Sequence, residues 1–210
     1  YMEGRVVDVP DDVRDKRLAE AKELSLSLLY FLQTEAGVEG LALAPALSGT
    51  PDGFAKTVYH REGRRLRARR TITENDVRYA EGRDRGTEYT KSVGVGAYRI
   101  DLHPSASGRP YVDLSTLPYH VPLGALVPER VENLLPAGKN LGVTHVANGC
   151  TRLHPTEWNV GEVAGLLAAF CRLTKTLPAD VHDDADLWAD FARLLDHQGI
   201  ERGWPRLRAL

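Results

Sequence analysis

With 210 residues and a formal net charge of −2, the chain is long enough to bury a real core and has no charge excess with which to hold nucleic acid or an anionic membrane. Its 42% hydrophobic and 27% charged content is that of a soluble protein, and no apolar run reaches the roughly 18 residues of a membrane span. Cys150 and Cys171 fit no zinc spacing and can make at most one disulfide; two small buried residues are expected, with a disulfide or a redox thiol as the alternative. No signal-peptide pattern is in view, and the expected compartment is the cytoplasm.

Taken in order, the chain first predicts a helix capped by Asp11 or Asp12 and running to about Glu35. Val13, Leu18, Ala21, Leu24, Leu28 and Leu32 recur at helical spacing, and Gly37 is a natural stop. Residues 40–56 read as a short helix followed by a loop. Six arginines fall within residues 61–70. In a strand, Arg65, Arg67 and Arg69 would share one side, and Arg64 and Arg70 the other. Such a side can grip a carboxylate or diphosphate, or it can form a network of ion pairs. Nucleic acid is disfavoured, because no aromatics are interleaved with the arginines.

Thr73 to Asp76 offers a cap for a short helix near residues 77–80. Residues 93–102 alternate as a strand, 105–110 read as a hairpin or surface turn, and 111–114 could return beside the strand. Asp101 and His103 would share a face. Residues 119–126 are strand-like, with Pro122 marking an edge or bulge. A turn then leads into a short buried strand at Leu134–Ala137 and a glycine turn. His145 and His154 lack a third ligand at metal spacing. A helix is expected from about Thr156 to Thr174, with Gly161 and Gly165 one turn apart. Its amino end presents unpaired N–H groups and a positive dipole, which attract negative charge. A last helix spans about Ala185 to Asp196, with Leu187, Trp188, Phe191, Leu194 and Leu195 on its apolar face.

Residues 119–128, 131–140 and 152–165, together with 61–65 and 92–103 upstream, resemble in joint order the carboxy-terminal part of the FAD-dependent oxidoreductases of the glutathione-reductase-like class. The resemblance spans roughly residues 21–205. It implies an α/β fold: a partial FAD/NAD(P)-binding domain with a mixed β-sheet substrate domain. Residues 1–57 would be a helical segment of the cofactor domain, 58–127 a β-rich substrate side, and 128–210 the end of the FAD-binding domain plus a terminal helix. The implied cofactor is FAD, held by Gly138, Lys139, Asn140, Arg152, Pro155, Trp158, Asn159, Gly161 and Gly165, with the helix after Pro155 aimed at the flavin ring. His154 and Arg152 are the catalytic candidates, since an imidazole can take the proton that accompanies hydride loss. Arg64, Arg65 and Arg67 would serve the substrate side, and no metal is expected.

One departure from the family pattern is large. No strand–GxGxxG–helix is present, and Gly94 to Arg99 puts Arg99 where the third glycine should stand. With Tyr1 as the first residue, the expectation is the later portion of a longer enzyme acting on a small organic molecule. An upstream half or a second copy would then cover the edge of the strand at 134–137. A folded interaction module that no longer binds FAD is the other reading.

Overall fold

The computed structural model describes residues 6–104 and 108–205. These fall into two compact units, one of residues 1–61 and 104–110, the other of residues 62–103 and 111–210. The first unit holds α1 (Asp11–Thr34) and α2 (Pro45–Ser48). Pro10 takes the N-cap position of α1, so Asp11 and Asp12 lie in the first turn, where their charge meets the positive helix end rather than capping it. Gly37 follows with φ +65°, the left-handed conformation of a helix stop. No residue of α1 is buried, and Leu24, Leu28, Tyr30 and Phe31 are exposed. Lys22 ties α1 to Asp52 at 2.6 Å and lies over the Phe54 ring.

The second unit carries the core. Its strands are β1 (Ser92–Gly96), β2 (Ile100–Leu102), β3 (Val112–Leu114) and β4 (Tyr119–Pro122). They form two antiparallel pairs, β1 with β4 and β2 with β3. The single strand expected over 93–102 is therefore two, and the chain changes sheet between Gly96 and Ile100. The register slips between Ser92 and Gly94, opposite Pro122 and Val121, so the proline does stand at a bulge. The chain then tightens into a 3₁₀ turn at Leu123–Ala125, ending the expected strand early. Part of the expected 105–110 turn lies outside the described residues.

The arginine-rich segment runs between two others. Arg69 and Arg70 donate backbone N–H groups to the Val127 and Gly124 carbonyls, while Ile72 donates to the Gly142 carbonyl and accepts from the Thr144 N–H. Ala68 and Ile72 turn inward to complete burial. α3 (Glu74–Val77) starts one turn earlier than expected, because the Asp76 carboxylate accepts both the N–H and the hydroxyl of Thr73, at 2.8 and 2.9 Å.

Four helices complete the unit: α4 (His145–Thr151), α5 (His154–Thr174), α6 (Pro178–Asp183) and α7 (Ala185–His197). Val160, Val163 and Leu167 of α5 join Phe191 and Leu195 of α7 against Val93, Tyr119 and Val121 in one core. Segments on both sides of residue 127 contribute to it. The strand expected at Leu134–Ala137 does not form. Leu134 is exposed and the segment carries no ladder, so its apolar run ends in a turn instead. Mixed helices and small sheets nonetheless make this an α/β chain.

Candidate functional site

The site is organised by the two-residue turn that joins α4 to α5. Thr144 caps α4 by accepting the Ala147 N–H at 3.2 Å. α4 packs on β2 through Gly149, where a Cβ would stand 3.1 Å from the Asp101 nitrogen. α4 ends at Thr151, and Arg152 turns inward. Its guanidinium donates to Glu62 Oε1 at 2.6 Å and to the Asp101 carbonyl at 2.7 Å, leaving the side chain only 5% exposed. The other Glu62 oxygen lies 2.8 Å from His145 Nε2. Burial pushes the Glu62 carboxyl up, but the hydrogen bonds from Arg152 and His145 and their charges outweigh it, so the net shift is downward. Beside it His103 Nε2 stands 3.1 Å from Asp101 Oδ2, as the shared face of those residues predicts.

The following residues open outward. α5 begins at His154 with Pro155 in its first turn and no side-chain cap at Leu153. Its first intrahelical bond is Glu157 N–H to the Leu153 carbonyl, so the N–H groups of His154 and Thr156 have no acceptor within the helix. Along the flank of this helix end lies a cleft of about 520 Å³. β1 and the residues after it supply Val95 to Tyr98, α5 supplies Pro155, Thr156, Trp158, Asn159 and Glu162, and the segment after α7 supplies Gln198 to Glu201 and Trp204. Trp204 is fixed as a wall by its indole N–H, which reaches the Gly96 and Tyr119 carbonyls at 3.2 Å each. Trp158 stands 77% exposed at the mouth.

The glycines of β1 have their own reason. A Cβ at Gly96 would overlap the Tyr119 ring at 2.4 Å, and one at Gly94 would meet Asn159 Oδ1 at 1.7 Å. Both glycines thus admit side chains from β4 and α5. The Tyr119 hydroxyl passes beneath to donate to the Cys150 carbonyl at 2.8 Å. Burial drives the Cys150 thiol up to about 12 and raises that of Cys171, so neither is a thiolate at neutral pH.

The structure brings some of the expected residues together and parts others. Pro155, Trp158 and Asn159 line the cleft, and His154 is exposed at its helix end. Arg152, six residues before Trp158, is closed off with Glu62. The Gly138 Cα faces Glu157, 3.1 Å from where a Cβ would be, while the Lys139 and Asn140 carbonyls accept from Asn148 and Leu66. Gly161 faces the Ala137 carbonyl in the same way, also at 3.1 Å, and Gly165 faces open space. Arg64, Arg65 and Arg67 do not line the cleft; Arg65 donates to the Gly63 carbonyl and Arg67 pairs with Glu129 at 3.4 Å.

Sequence reasoning did not single out Glu62, Tyr98, Glu162, Glu201 or Trp204. Glu162 sits one helical turn after Trp158, a spacing that could have flagged it. Glu62 and Trp204 reach their places through contacts distant in sequence, which no local pattern shows.

Among the described residues no helix is long and apolar enough to cross a membrane, and no group of three or more His, Cys, Asp or Glu is placed to hold a metal ion. No curated protein and no solved structure matches the chain. A family model does: the one described as FAD dependent oxidoreductase, over residues 3–195. That span takes in the uncapped helix end and the β1 and α5 walls of the cleft, and the chain belongs to the FAD-dependent oxidoreductase family.

Proposed function

We propose that this chain supplies the ring-side part of a flavoenzyme that transfers hydride from a small organic substrate to FAD. The observation that carries the proposal is the uncapped amino end of α5 beside the cleft. Bound there, FAD would accept two electrons with a hydrogen from carbon. The chain's own part is electrostatic and positional. The N–H groups of His154 and Thr156, with the helix dipole, would lower the cost of negative charge at their acceptor by about 0.3–1 kcal/mol. Pro155 has its φ fixed by its ring and contributes no donor of its own. Trp158 and Asn159 line the flank. Gly138, Lys139 and Asn140 form the neighbouring turn, and Gly161 and Gly165 keep α5 free of side chains beyond it.

In this reading His154, exposed at the helix end, would take a proton from substrate. Arg152 is a positioning residue in this reading, because its donors are engaged by Glu62 and the Asp101 carbonyl. Arg64, Arg65 and Arg67 lie outside the cleft.

The described residues fit the ring end of a dinucleotide better than its diphosphate. Gly94 and Gly96 are taken up by Asn159 and Tyr119, and β1 leads into β2 rather than into a helix. A dinucleotide fingerprint needs strand, glycine turn and helix together. The diphosphate would therefore be held by an upstream half of the same enzyme or by another chain. The same observation favours the second reading, an interaction module without cofactor.

Titrating FAD by calorimetry into the chain alone, and into the longest form that adds an upstream fingerprint, separates the two. Weak binding by the chain alone and flavin retained by the longer form supports the flavoenzyme. A longer form that purifies colourless and takes up no FAD rejects it.

A further inference from the structure

We infer that the cleft beside α5 is built for an organic cation, an amine or quaternary ammonium compound. This names a substrate class and rests on the proposed function, with the flavin ring at the amino end of α5 and the substrate in the cleft on its flank. The lining holds no lysine, arginine or histidine. Its charged members are Glu162 and Glu201, both exposed, and neither makes an ion pair among the described residues. Three aromatic side chains stand with them: Tyr98, Trp158 and Trp204. None of the three is stacked by a cation among the described residues, unlike Trp188, which has Lys91 and Arg202 over its ring.

This chemistry selects by charge. Aromatic faces carry negative quadrupole density that attracts an ammonium group, and the effect grows as the site is desolvated. An anionic ligand in the same place would meet two carboxylates with no compensating cation among the described lining residues. The positive end of α5 does not reverse the balance. A helix end presents about half an elementary charge and acts within its first turn, whereas Glu162 lies in the third turn with a full negative charge. The volume, about 520 Å³, is that of a small-molecule pocket rather than of an extended polymer groove.

Choline is a direct probe, with its neutral carbon isostere 3,3-dimethylbutan-1-ol and acetate as controls. Binding to the chain is followed by tryptophan fluorescence and confirmed by calorimetry. Choline should bind saturably, and both controls should bind roughly five- to tenfold more weakly or not at all. Combining Glu162→Gln with Glu201→Gln should weaken choline by a similar factor while leaving the melting temperature in place, because both side chains are exposed. Trp158→Ala should lower choline affinity, and Trp158→Phe should restore most of it.

Equal binding of choline and its isostere, tighter binding of acetate, or unchanged choline affinity in the double carboxylate variant would each overturn the inference. FAD uptake by the longer form is read separately by absorbance. Loss of flavin with choline binding intact removes the redox reading and leaves the cation site. Flavin retained with no preference for choline does the reverse.

Discussion

Arg152 and Trp158 sit on either side of one short turn, yet they meet opposite surroundings. Arg152 is sealed between Glu62 and the Asp101 carbonyl, with every contact made within the protein. Trp158 is the most open aromatic of α5, at the mouth of a cleft whose carboxylates have no cation paired with them among the described residues. The contrast teaches where chemistry can occur. A charge already neutralised and buried holds the fold, whereas an unanswered charge beside a cavity is available to a ligand. Sequence proximity to a helix end does not distinguish the two, because α4 turns one residue inward and α5 turns the next ones out.

The sharpest break of the comparison is Arg152→Ala. Removing the guanidinium leaves Glu62 half-buried with only His145 beside it, and leaves the Asp101 carbonyl without its donor. Breaking one partner of such a pair costs about 3 kcal/mol or more. Thermal or urea unfolding of the variant should show that loss, together with weakened packing of β2 on α4. A variant that melts within a degree or two of the parent would mean Arg152 is not a structural keystone, and its catalytic candidacy would return.

The wall shared by core and cleft gives the next largest effect. Gly96 lies across from Tyr119 in the β1–β4 ladder, and the ring covers it at a distance no Cβ could accept. Gly96→Ala must push a fully buried tyrosine that also donates to Cys150. Overpacking of this kind costs about 1–3 kcal/mol. It should also free Trp204, whose indole N–H depends on the Gly96 carbonyl, and so shift tryptophan emission. Destabilisation without any change in emission would show that the Trp204 wall stands independently of β1.

These two regions also show what the sequence made legible. α1, α5 and α7 were readable because apolar residues recur at 3.6-residue spacing and punctuating residues mark their ends. The β2–β3 return and the bulge at Pro122 were readable from alternation and from proline's missing donor. The strand at Leu134–Ala137 was misread, since a short apolar run is equally compatible with a turn whose side chains are only partly covered. α4 was missed because His145-Val-Ala-Asn-Gly-Cys-Thr has weak helix propensity, and its cap at Thr144 is the only local cue. Of the residues that line the cleft, the family resemblance had named Pro155, Trp158 and Asn159. Glu62 and Trp204 were not, because their partners lie far along the chain: Arg152 is 90 residues from Glu62, and Gly96 is 108 residues from Trp204. Such contacts are set by packing that no local period records.

Acid should sharpen the closed side further. The Glu62 carboxyl is held below its ordinary value, so its charged form favours the folded state. That contribution is fully present above the unfolded value of about 4.3 and is lost as pH falls through the lower folded value. Urea midpoints measured from neutral pH downward should therefore fall more steeply for the parent than for Glu62→Gln below about pH 4.3. Parallel curves would assign the acid sensitivity to other carboxylates, of which Asp76 is the nearest in kind because its carboxyl is also held low.

The smallest effect concerns the open side, and it separates two glycines that look alike in the sequence. Gly165 is exposed, with nothing within 4 Å of where a Cβ would stand. Gly161 would place its methyl 3.1 Å from the Ala137 carbonyl oxygen, close enough that the 134–138 segment must yield by a few tenths of an ångström. In a helix interior, alanine is favoured over glycine by about 0.5–1 kcal/mol. Gly165→Ala should therefore stabilise the chain by about that amount, whereas at Gly161 crowding against a backbone atom should cancel most of the gain. Melting temperatures of the two variants in the chain alone measure this difference. Flavin content in the longer form adds the functional half. If the cofactor lies against the open face of α5 at Gly165, a methyl there should lower flavin retention even as Gly165→Ala raises stability. A more stable Gly165→Ala that keeps all its flavin would place the ring elsewhere, leaving only the first turn of α5 as its contact.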